Sequence, residues 1–232
     1  TQKSTKKYYK YGVKVPNSIE EAHAFDKENN NKLWQQSTDK ELKNVIVAFK
    51  LLNDGELPAP GSKLISYHII FDVKFDLTRK ARLVAGGHMH RNVPAHDTFS
   101  SVVSRDSVRI LLTIAALNEL DVLAADIGNA YLNAKNKERV HVKCGPELFG
   151  PDAEGKTAVI VRALYGLRSA GNAWRHHFAN YIRHELGYEP TIADNDVYRK
   201  PIVKKDGSKC YAYLVVYIDD ILSINSDPKA VM

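Results

Sequence analysis

The 232-residue chain contains little cysteine and no long apolar run. Its two cysteines, Cys144 and Cys210, are too few for a disulfide framework or for a cysteine-based zinc site. No stretch approaches the roughly 18 consecutive apolar residues that a membrane-spanning helix needs, and residues 1–30 are polar and lysine-rich. The sequence therefore predicts neither a transmembrane helix nor a signal peptide, and its sparse cysteine suits a reducing, intracellular compartment.

The composition is that of a folded protein with a moderately basic surface. Hydrophobic residues make up 44% and charged residues 26% of the chain, which argues against disorder. The 33 basic residues outnumber the 27 acidic ones and give a net charge of +6. Such a charge is compatible with a nucleic-acid partner, although it does not identify one. Because the chain starts at Thr1 rather than at Met, we expect it to be part of a longer protein.

In the N-terminal quarter, residues 1–16 are predicted to be an extended leader, and two helix starts follow. Ser18 with Glu21, and Thr38 with Glu41, have the spacing of a capping box, in which a hydroxyl and a glutamate bind free backbone N–H groups at a helix start. Residues 53–62 are rich in glycine and proline and are typical of a linker. We therefore predict an N-terminal helical leader and linker at residues 1–62 and a main domain at residues 63–232.

The main domain is predicted to mix strands and helices. Apolar residues alternate in 65–71 and recur in 82–85, on either side of a polar turn, which predicts a hairpin. Helices are predicted at 105–120 and at about 170–186 from apolar positions at helical spacing. A short, buried-looking strand at 122–125 ends at Asp126, and two apolar runs in 211–224 flank Asp219 and Asp220. Because strands and helices interleave irregularly, the predicted fold class is α+β.

Two adjacent acids, Asp219 and Asp220, interrupt the apolar C-terminal segment. Burying an unpaired carboxylate is unfavourable, so we expect the pair at the bend of a hairpin. Like charges this close repel each other unless a cation lies between them, and Mg²⁺ is a usual partner of carboxylates. Alternatively the pair is only a polar β-turn, since Asp favours turns, although the segment lacks the Gly or Asn that such turns often contain.

A third acid, Asp126, closes the predicted strand and is followed by a turn containing Gly128. Three carboxylates from two strands can hold two metal ions about 3.5–4 Å apart, the arrangement that serves phosphoryl transfer. Histidines do not offer a competing site, because His88, His90 and His96 match no strong zinc pattern. The alternating basic residues of 135–143 favour either a phosphate-tracking face or an ordinary solvated one.

Five blocks of the sequence resemble one known family. Residues 217–220, Tyr-Ile-Asp-Asp, resemble the Tyr-X-Asp-Asp box of reverse transcriptases, and the extended segment 214–222 is similar to its copia-type version. The other blocks, in the order of that family, are residues 80–87, 98–103, 126–133 and 163–168, the last with Trp174 downstream. The blocks cover roughly residues 65–226. The chain thus resembles the fingers and palm of the reverse transcriptase in a copia-type LTR-retrotransposon Pol polyprotein.

The resemblance implies a fold and an activity. The fold would be that of reverse-transcriptase fingers and palm at residues 63–232, with an antiparallel palm sheet packed on helices and the thumb absent. The activity would be RNA- and DNA-directed DNA synthesis, in which a primer 3′-OH attacks the α-phosphate of a dNTP and releases pyrophosphate. Asp126, Asp219 and Asp220 would be the catalytic, metal-binding residues and would hold two Mg²⁺ ions, which Mn²⁺ could replace.

The resemblance also implies roles for individual basic and aromatic residues. Lys80 and Arg82 would hold the triphosphate of the dNTP through charge-assisted contacts. Tyr131 would be a steric gate that excludes a ribose 2′-OH, and Arg168 would contact the template or the nucleotide. One position departs from the family pattern: many members have Gln where this chain has Ser169, which puts the strength of nucleotide binding in doubt.

The implied partners are an RNA or DNA template with its primer, dNTPs, and the RNase H and integrase domains of the polyprotein, with no membrane. An active element would work in a cytoplasmic virus-like particle or in the nucleus. Two alternatives remain open. The first is a catalytically inactive or domesticated nucleic-acid-binding remnant, and the second is another two-metal enzyme such as a nuclease. The intact acids argue against the remnant, and a nuclease would not need a sugar gate at Tyr131.

Overall fold

A computed structural model describes residues 8–90 and 93–231 of the chain. Its strands are β1 Tyr8–Lys10, β2 Val13–Val15, β3 Phe49–Leu51, β4 Lys63–Leu64, β5 Tyr67–Val73, β6 Arg79–Ala85, β7 Asp121–Asp126, β8 Val140–Lys143, β9 Thr157–Ile160, β10 Glu189–Pro190, β11 Val197–Val203, β12 Lys209–Tyr217 and β13 Asp220–Asn225. Its helices are α1 Ile19–Glu28, α2 Leu33–Val45, α3 Ala95–Thr98, α4 Arg105–Leu117, α5 Pro146–Phe149 and α6 Ala170–His184. Short 3-10 helices cover Ile46–Ala48, Gly87–Met89, Ala130–Asn133, Pro151–Ala153 and Pro228–Val231. The predicted mixture of helices and sheets is confirmed.

The chain divides into two compact units. Unit 1 comprises residues 1–93 and 135–170, and unit 2 comprises residues 94–134 and 171–232. The chain therefore passes from unit 1 to unit 2 and back before it ends in unit 2. The boundary proposed at residue 62 stays a prediction about domains, since residues on both sides of it contribute to unit 1.

In unit 1 the predicted hairpin is confirmed as β5 and β6, paired antiparallel from Tyr67 opposite Ala85 to Val73 opposite Arg79. The helices α1 and α2 and the strand β2 supply its hydrophobic core, in which Phe25, Trp34 and Val73 are buried. Ser18 caps α1 as predicted, because its hydroxyl accepts a hydrogen bond from the backbone N–H of Glu21. The capping signal at Ser18 therefore located a true helix start.

The second predicted helix start is wrong. The helix α2 begins at Leu33, and Thr38 lies in its interior, where its hydroxyl donates to the carbonyl of Trp34. The free N–H groups of Trp34 and Gln35 are instead bound by the carboxylate of Asp26, from the end of α1. Glu41 accepts a hydrogen bond from the backbone of Leu83 on β6. The capping pattern was misleading because a side chain from the preceding helix satisfies the start of α2.

Unit 1 also contains a four-stranded sheet in the order β3-β9-β8-β4. The basic run at 135–143 ends in this sheet, because its last four residues form the strand β8. Lys135, Lys137, Arg139 and Lys143 are exposed, whereas Val140 and Val142 between them are buried. The alternation thus places the basic side chains outward, and a role in phosphate tracking stays a prediction.

Unit 2 is built on a five-stranded antiparallel sheet in the order β10-β11-β12-β13-β7. Helix α4 packs on one face, where Leu111 and Ala115 join Val215 and Ile224 in a hydrophobic core. Helix α6 lies against the opposite face, because Trp174 and Phe178 line a small cavity with Val216, the neighbour of Val215 in an alternating strand. Both predicted helices are confirmed, with ends two or three residues earlier than expected.

The strand before Asp126 is confirmed as β7, but its predicted burial is wrong. Val122 is 43% exposed, and along the strand exposed residues predominate over half-buried ones. The reason is that β7 is the edge strand of the sheet, so its apolar residues lack neighbours on one side.

Among the described residues, no helix is both long and apolar enough to cross a membrane.

Candidate active site

The acidic pair Asp219–Asp220 lies at a tight hairpin turn in unit 2. Tyr217 and Asp220 close the hairpin of β12 and β13, which leaves only Ile218 and Asp219 in the loop. Ile218 has a φ of 59°, a positive value as required at the first loop position of a type II′ turn. Such a value is unfavourable for a β-branched residue, so the turn is strained where it carries the acids.

Asp126 lies directly opposite Asp220 on the neighbouring strand. The N–H of Ile127 donates to the carbonyl of Asp219 at 2.8 Å, which makes Asp126 and Asp220 a non-hydrogen-bonded pair of the antiparallel ladder. In such pairs the Cα atoms are about 4.5 Å apart and the side chains leave the sheet on the same face. The fold therefore brings together two acids that are 94 positions apart in the chain.

Two further hydrogen bonds fix the backbone around the turn. The indole N–H of Trp174 on α6 donates to the carbonyl of Ile218 at 2.7 Å. The N–H of Val216 donates to the carbonyl of Asp196 at 3.0 Å. With the bond from Ile127 to Asp219, both loop carbonyls have a donor, so the acids sit on a rigid backbone.

The three carboxylates have no cationic partner among the described residues. Asp126 and Asp220 are exposed and Asp219 is half-buried, and within the described part of the chain no ion pair joins any of them to a Lys, Arg or His. Like charges placed opposite each other on neighbouring strands are destabilising. Carboxylate oxygens without a protein partner are the ligands that Mg²⁺ accepts, so the chemistry of the donors fits a hard divalent cation.

The carboxylate of Asp219 is not placed to share a metal ion with those of Asp126 and Asp220. Across the residues that the structure covers, no group of three or more His, Cys, Asp or Glu side chains is placed to hold a metal ion. The backbone thus brings Asp126 and Asp220 into register and places Asp219 beside them. A site with three ligands would need a change in side-chain conformation.

A cavity of about 670 Å³ adjoins the paired acids. Asp126, Asp220 and Tyr217 line one part of it, and Val103 and Arg105 line another. Arg105 is the first residue of α4 and is exposed. Sequence reasoning treated this helix only as an apolar element and missed the guanidinium at its start. The signal was the basic residue directly after the N-cap Ser104.

Tyr131 lies in the same unit, in the 3-10 helix Ala130–Asn133 that follows β7. The preceding residue, Asn129, has a left-handed backbone with a φ of 55°, which turns the chain sharply after Asp126. A Cβ atom at Gly171 would lie 3.9 Å from the Tyr131 hydroxyl and 3.2 Å from Cβ of Ser100. The half-buried tyrosine is therefore close to the start of α6.

Lys80, Arg82 and Arg168 belong to unit 1. Lys80 and Arg82 are two residues apart on β6, so they share one face of the hairpin, and both are half-buried, whereas Ala81 and Leu83 between and beside them are buried. The Arg82 guanidinium lies 4.1 Å from the centre of the Tyr165 ring, a cation–π contact that orients it. Arg168 is exposed.

Two of the sequence blocks interlock within unit 1. The N–H of Ala85 donates to the carbonyl of Tyr165 at 2.7 Å. A Cβ atom at Gly87 would lie only 2.2 Å from the carbonyl oxygen of Gly166, and one at Gly166 only 2.1 Å from that of Ala85. Both positions therefore require glycine, because the two backbones touch there.

Ser169 has a structural role in unit 1. It is 1% exposed, and its hydroxyl and N–H both donate to one carboxylate oxygen of Glu138. The other oxygen of Glu138 is 2.8 Å from Nδ1 of His90. The side chain of Ser169 is thus committed to a buried carboxylate. His90, which the sequence excluded as a zinc ligand, binds the same group.

Comparison with known proteins assigns the family. The family model described as "Reverse transcriptase (RNA-dependent DNA polymerase)" matches residues 56–232, which is most of the chain. The chain belongs to the reverse transcriptases. Its sequence places it among those of copia-type LTR-retrotransposon Pol polyproteins, as the five blocks predicted.

The relatives of this reverse transcriptase chain are polyproteins of transposons. It is 32% identical over 180 residues to the retrovirus-related Pol polyprotein from transposon RE1 of Arabidopsis thaliana, a match covering 74% of the chain and 12% of the relative. It is 28% identical over 212 residues to the corresponding polyprotein from transposon TNT 1-94 of Nicotiana tabacum, covering 90% and 14%. The truncated transposon Ty1-A Gag-Pol polyprotein of Saccharomyces cerevisiae is 27% identical over 170 residues, covering 72% and 13%. The chain thus spans only about an eighth of the length of these relatives.

Proposed function

We propose that this chain supplies the fingers and palm of an RNA- and DNA-directed DNA polymerase. The antiparallel sheet of unit 2 with α4 and α6 would be the palm. The observation that carries the proposal is the cross-strand pair Asp126 and Asp220, next to Asp219 on a strained turn and without a cationic partner among the described residues. An enzyme retains such a repulsive arrangement when a ligand needs it.

Asp126, Asp219 and Asp220 would hold two Mg²⁺ ions, with Mn²⁺ able to replace them. Bound there, the ions supply activation of the primer 3′-OH and neutralisation of the leaving pyrophosphate. The protein's own part is to keep the carboxylates in register through the β7–β13 ladder and the bond from Ile127 to Asp219. Positioning of this kind contributes most of the catalysis in phosphoryl transfer.

Four residues are proposed to bind the incoming nucleotide: Lys80, Arg82, Tyr131 and Arg168. Lys80 and Arg82 share a face of the β5–β6 hairpin and would bind the triphosphate. Tyr131 would exclude a ribose 2′-OH, and Arg168 would contact the template or the nucleotide. Ser169 would not take over the role of the glutamine found in other members, since its hydroxyl is bound to buried Glu138. We therefore expect weaker dNTP binding than in members with glutamine.

We also propose that the chain works as part of a longer Pol polyprotein within the cell. The relatives named above are Pol or Gag-Pol polyproteins of which the matched segments are a small part. A template with its primer would be the nucleic-acid partner, and RNase H and integrase domains would be expected in the same polyprotein. The net charge of +6 supports binding of a phosphate backbone.

The proposal is tested by extending oligo(dT) on poly(rA) with dTTP in the presence of Mg²⁺ or Mn²⁺. We expect extension that stops when EDTA removes the metal and that is absent when UTP replaces dTTP. The assay is run on this chain and on a longer polypeptide that continues into the rest of the polyprotein.

Absence of extension by both polypeptides would contradict the proposal. If these polypeptides still bound the template and primer, the result would favour the alternative function, a domesticated nucleic-acid-binding protein. Degradation of the primer without extension would instead favour a nuclease.

A further inference from the structure

The side chain of Trp174 binds the backbone of the turn that carries Asp219 and Asp220. Its indole N–H donates to the carbonyl of Ile218 at 2.7 Å. Trp174 is 4% exposed, so water competes little for this bond. In the sequence, Trp174 appears only as the tryptophan downstream of the block at residues 163–168, because nothing there links it to Ile218, 44 positions away.

The carbonyl that Trp174 binds belongs to the strained residue of the turn. Ile218 has a positive φ, which a β-branched residue adopts only when surrounding contacts hold it there. The bond from Ile127 fixes the next carbonyl, that of Asp219. The turn is therefore held from two sides, by β7 through Asp219 and by α6 through Ile218.

Trp174 has two neighbours on α6 that contact other groups around the site. Its ring stacks on that of Phe178, with centroids 5.0 Å apart and planes at 8°. Next to it, Nε of Arg175 donates to the buried carboxylate of Asp196 at 2.8 Å. The carbonyl of Asp196 in turn accepts from Val216, two residues before the turn. Arg175 thus attaches the helix to the sheet directly beside the indole.

We propose that Trp174 is a positioning residue for nucleotidyl transfer. Its indole N–H holds the carbonyl of Ile218 and thereby keeps Asp219 and Asp220 in the orientation that binds metal. The inference rests on the proposed function, since it assigns Trp174 to the same site. Loss of the bond lets the turn relax and misplaces the carboxylates, and small misplacements of reacting groups lower rates strongly.

The test compares two replacements that remove the N–H with one that disturbs only the packing. Trp174→Phe removes the donor, and 3-benzothienylalanine at position 174 keeps the shape of the indole but has sulfur in place of the N–H. Phe178→Leu removes the stacking partner and leaves the donor. Single-nucleotide extension is measured as kcat and as KM for the dNTP, together with the melting temperature of each protein.

We expect both donor-deficient proteins to lose about tenfold to a hundredfold in kcat with KM changed less than about twofold. Phe178→Leu should lower the melting temperature at least as much as the benzothienylalanine protein and keep kcat within about threefold. The inference is overturned if the benzothienylalanine protein extends primers at the wild-type rate, or if Phe178→Leu loses as much activity as the donor-deficient proteins.

A spectroscopic measurement separates this inference from the proposed function. The chain has two tryptophans, so Trp34→Phe assigns both indole N–H resonances. We expect the ¹³C resonance of the Ile218 carbonyl to shift when benzothienylalanine replaces Trp174 and to stay in place in Phe178→Leu. An unshifted carbonyl would refute the hydrogen bond even in a fully active enzyme. If the carbonyl resonance shifts but the wild-type protein extends no primer, the hydrogen bond is supported and the proposed polymerase function is refuted.

Discussion

Asp220, the first residue of β13, lies directly opposite Asp126, the last residue of β7. The bond between Ile127 and Asp219 makes this a pair of the closely spaced kind, with both side chains on the face of the sheet against which α4 packs. Two carboxylates in such a pair repel each other. The arrangement weakens the fold, and the cations proposed to bind there would offset the repulsion.

Tyr131→Ala should let the enzyme incorporate ribonucleotides. In the proposed role, removal of the ring would open the space next to the sugar, and a single steric contact of this kind typically contributes a discrimination of roughly 10-fold or more. The measurement is the ratio of kcat/KM for dTTP to that for UTP on a poly(rA) template. Tyr181→Ala, which alters an exposed tyrosine of α6, is the matched control and should keep the ratio. An unchanged ratio in an active Tyr131→Ala enzyme would refute the gate.

Lys80→Gln and Arg82→Gln should raise the KM for dNTP about tenfold, because each would remove a charge-assisted contact proposed to the triphosphate. Arg82→Lys keeps the charge but loses the contact with the ring of Tyr165, and should have an intermediate effect. Lys74→Gln changes an exposed lysine in the turn of the same hairpin and serves as the control. Equal KM values for Lys80→Gln and Lys74→Gln would exclude Lys80 from the nucleotide site.

Three glycine substitutions separate backbone strain from steric contact in unit 1. Gly155→Ala should cost about 1–2 kcal/mol of unfolding free energy, since its φ is +76° but nothing lies within 4 Å of the new methyl. Gly166→Ala should cost about 1–3 kcal/mol more, because its methyl also meets the carbonyl of Ala85. Gly87→Ala should be destabilising through contact alone. Urea unfolding measures all three. Equal losses of unfolding free energy for Gly155→Ala and Gly166→Ala would show that residues 80–87 and 163–168 do not touch at this point.

The stability of unit 2 should fall in acid because of Asp194. Burial raises the pKa of this carboxyl, but hydrogen bonds from Ser104 and Ser107 outweigh it and leave the pKa below its usual value of 3.8. A lowered pKa in the folded state means that the group stabilises the fold at neutral pH. That contribution declines as the pH falls below about 4 and is gone below the folded-state pKa.

Thermal unfolding followed from pH 7 to pH 2 tests this dependence. Asp194→Asn should be less stable than the wild type at pH 7, and the difference should shrink as the pH is lowered through the window below about 4. Asp206→Asn is a less suitable comparison, because the pKa of Asp206 is lowered as well. The control is therefore Asp152→Asn, which changes an acid in unit 1. A stability difference that stays constant down to pH 2 would contradict the assignment to Asp194.

Local patterns predicted the elements of the fold well, because neighbouring residues determine them. The hairpin of β5 and β6 and the helix that Ser18 caps follow from alternation and from one side-chain bond. Contacts between distant residues were not predictable in this way. The carboxylate of Asp26 accepts a hydrogen bond from the N–H of Trp34 at the start of α2, so the residues next to Leu33 carry no capping pattern. The exposure of β7 depends on strand order, which periodicity does not contain.

The candidate site shows the same limit. Asp126, Asp219 and Asp220 were found as carboxylates beside apolar runs, and the structure adds that Asp126 and Asp220 are partners in register. Ser169 stood out in the sequence as a departure from the family, but only the structure gives it a partner, Glu138. Likewise the bond from Trp174 to Ile218 joins two elements whose packing no local pattern encodes.

Primer extension by Asp126→Asn, compared with Asp121→Asn, tests whether the carboxylate pair of β7 and β13 binds the catalytic metal. Both acids lie on β7 and are exposed, but Asp121 pairs with Asn225 at the far end of the strand. Loss of a metal ligand should remove several kcal/mol of transition-state stabilisation, so Asp126→Asn should extend about 10³-fold more slowly or not at all. Because the substitution relieves repulsion with Asp220, its melting temperature without metal should equal or exceed that of the wild type, while Asp121→Asn extends normally. An Asp126→Asn enzyme that is folded and extends primers at the wild-type rate would contradict a role of Asp126 in metal binding.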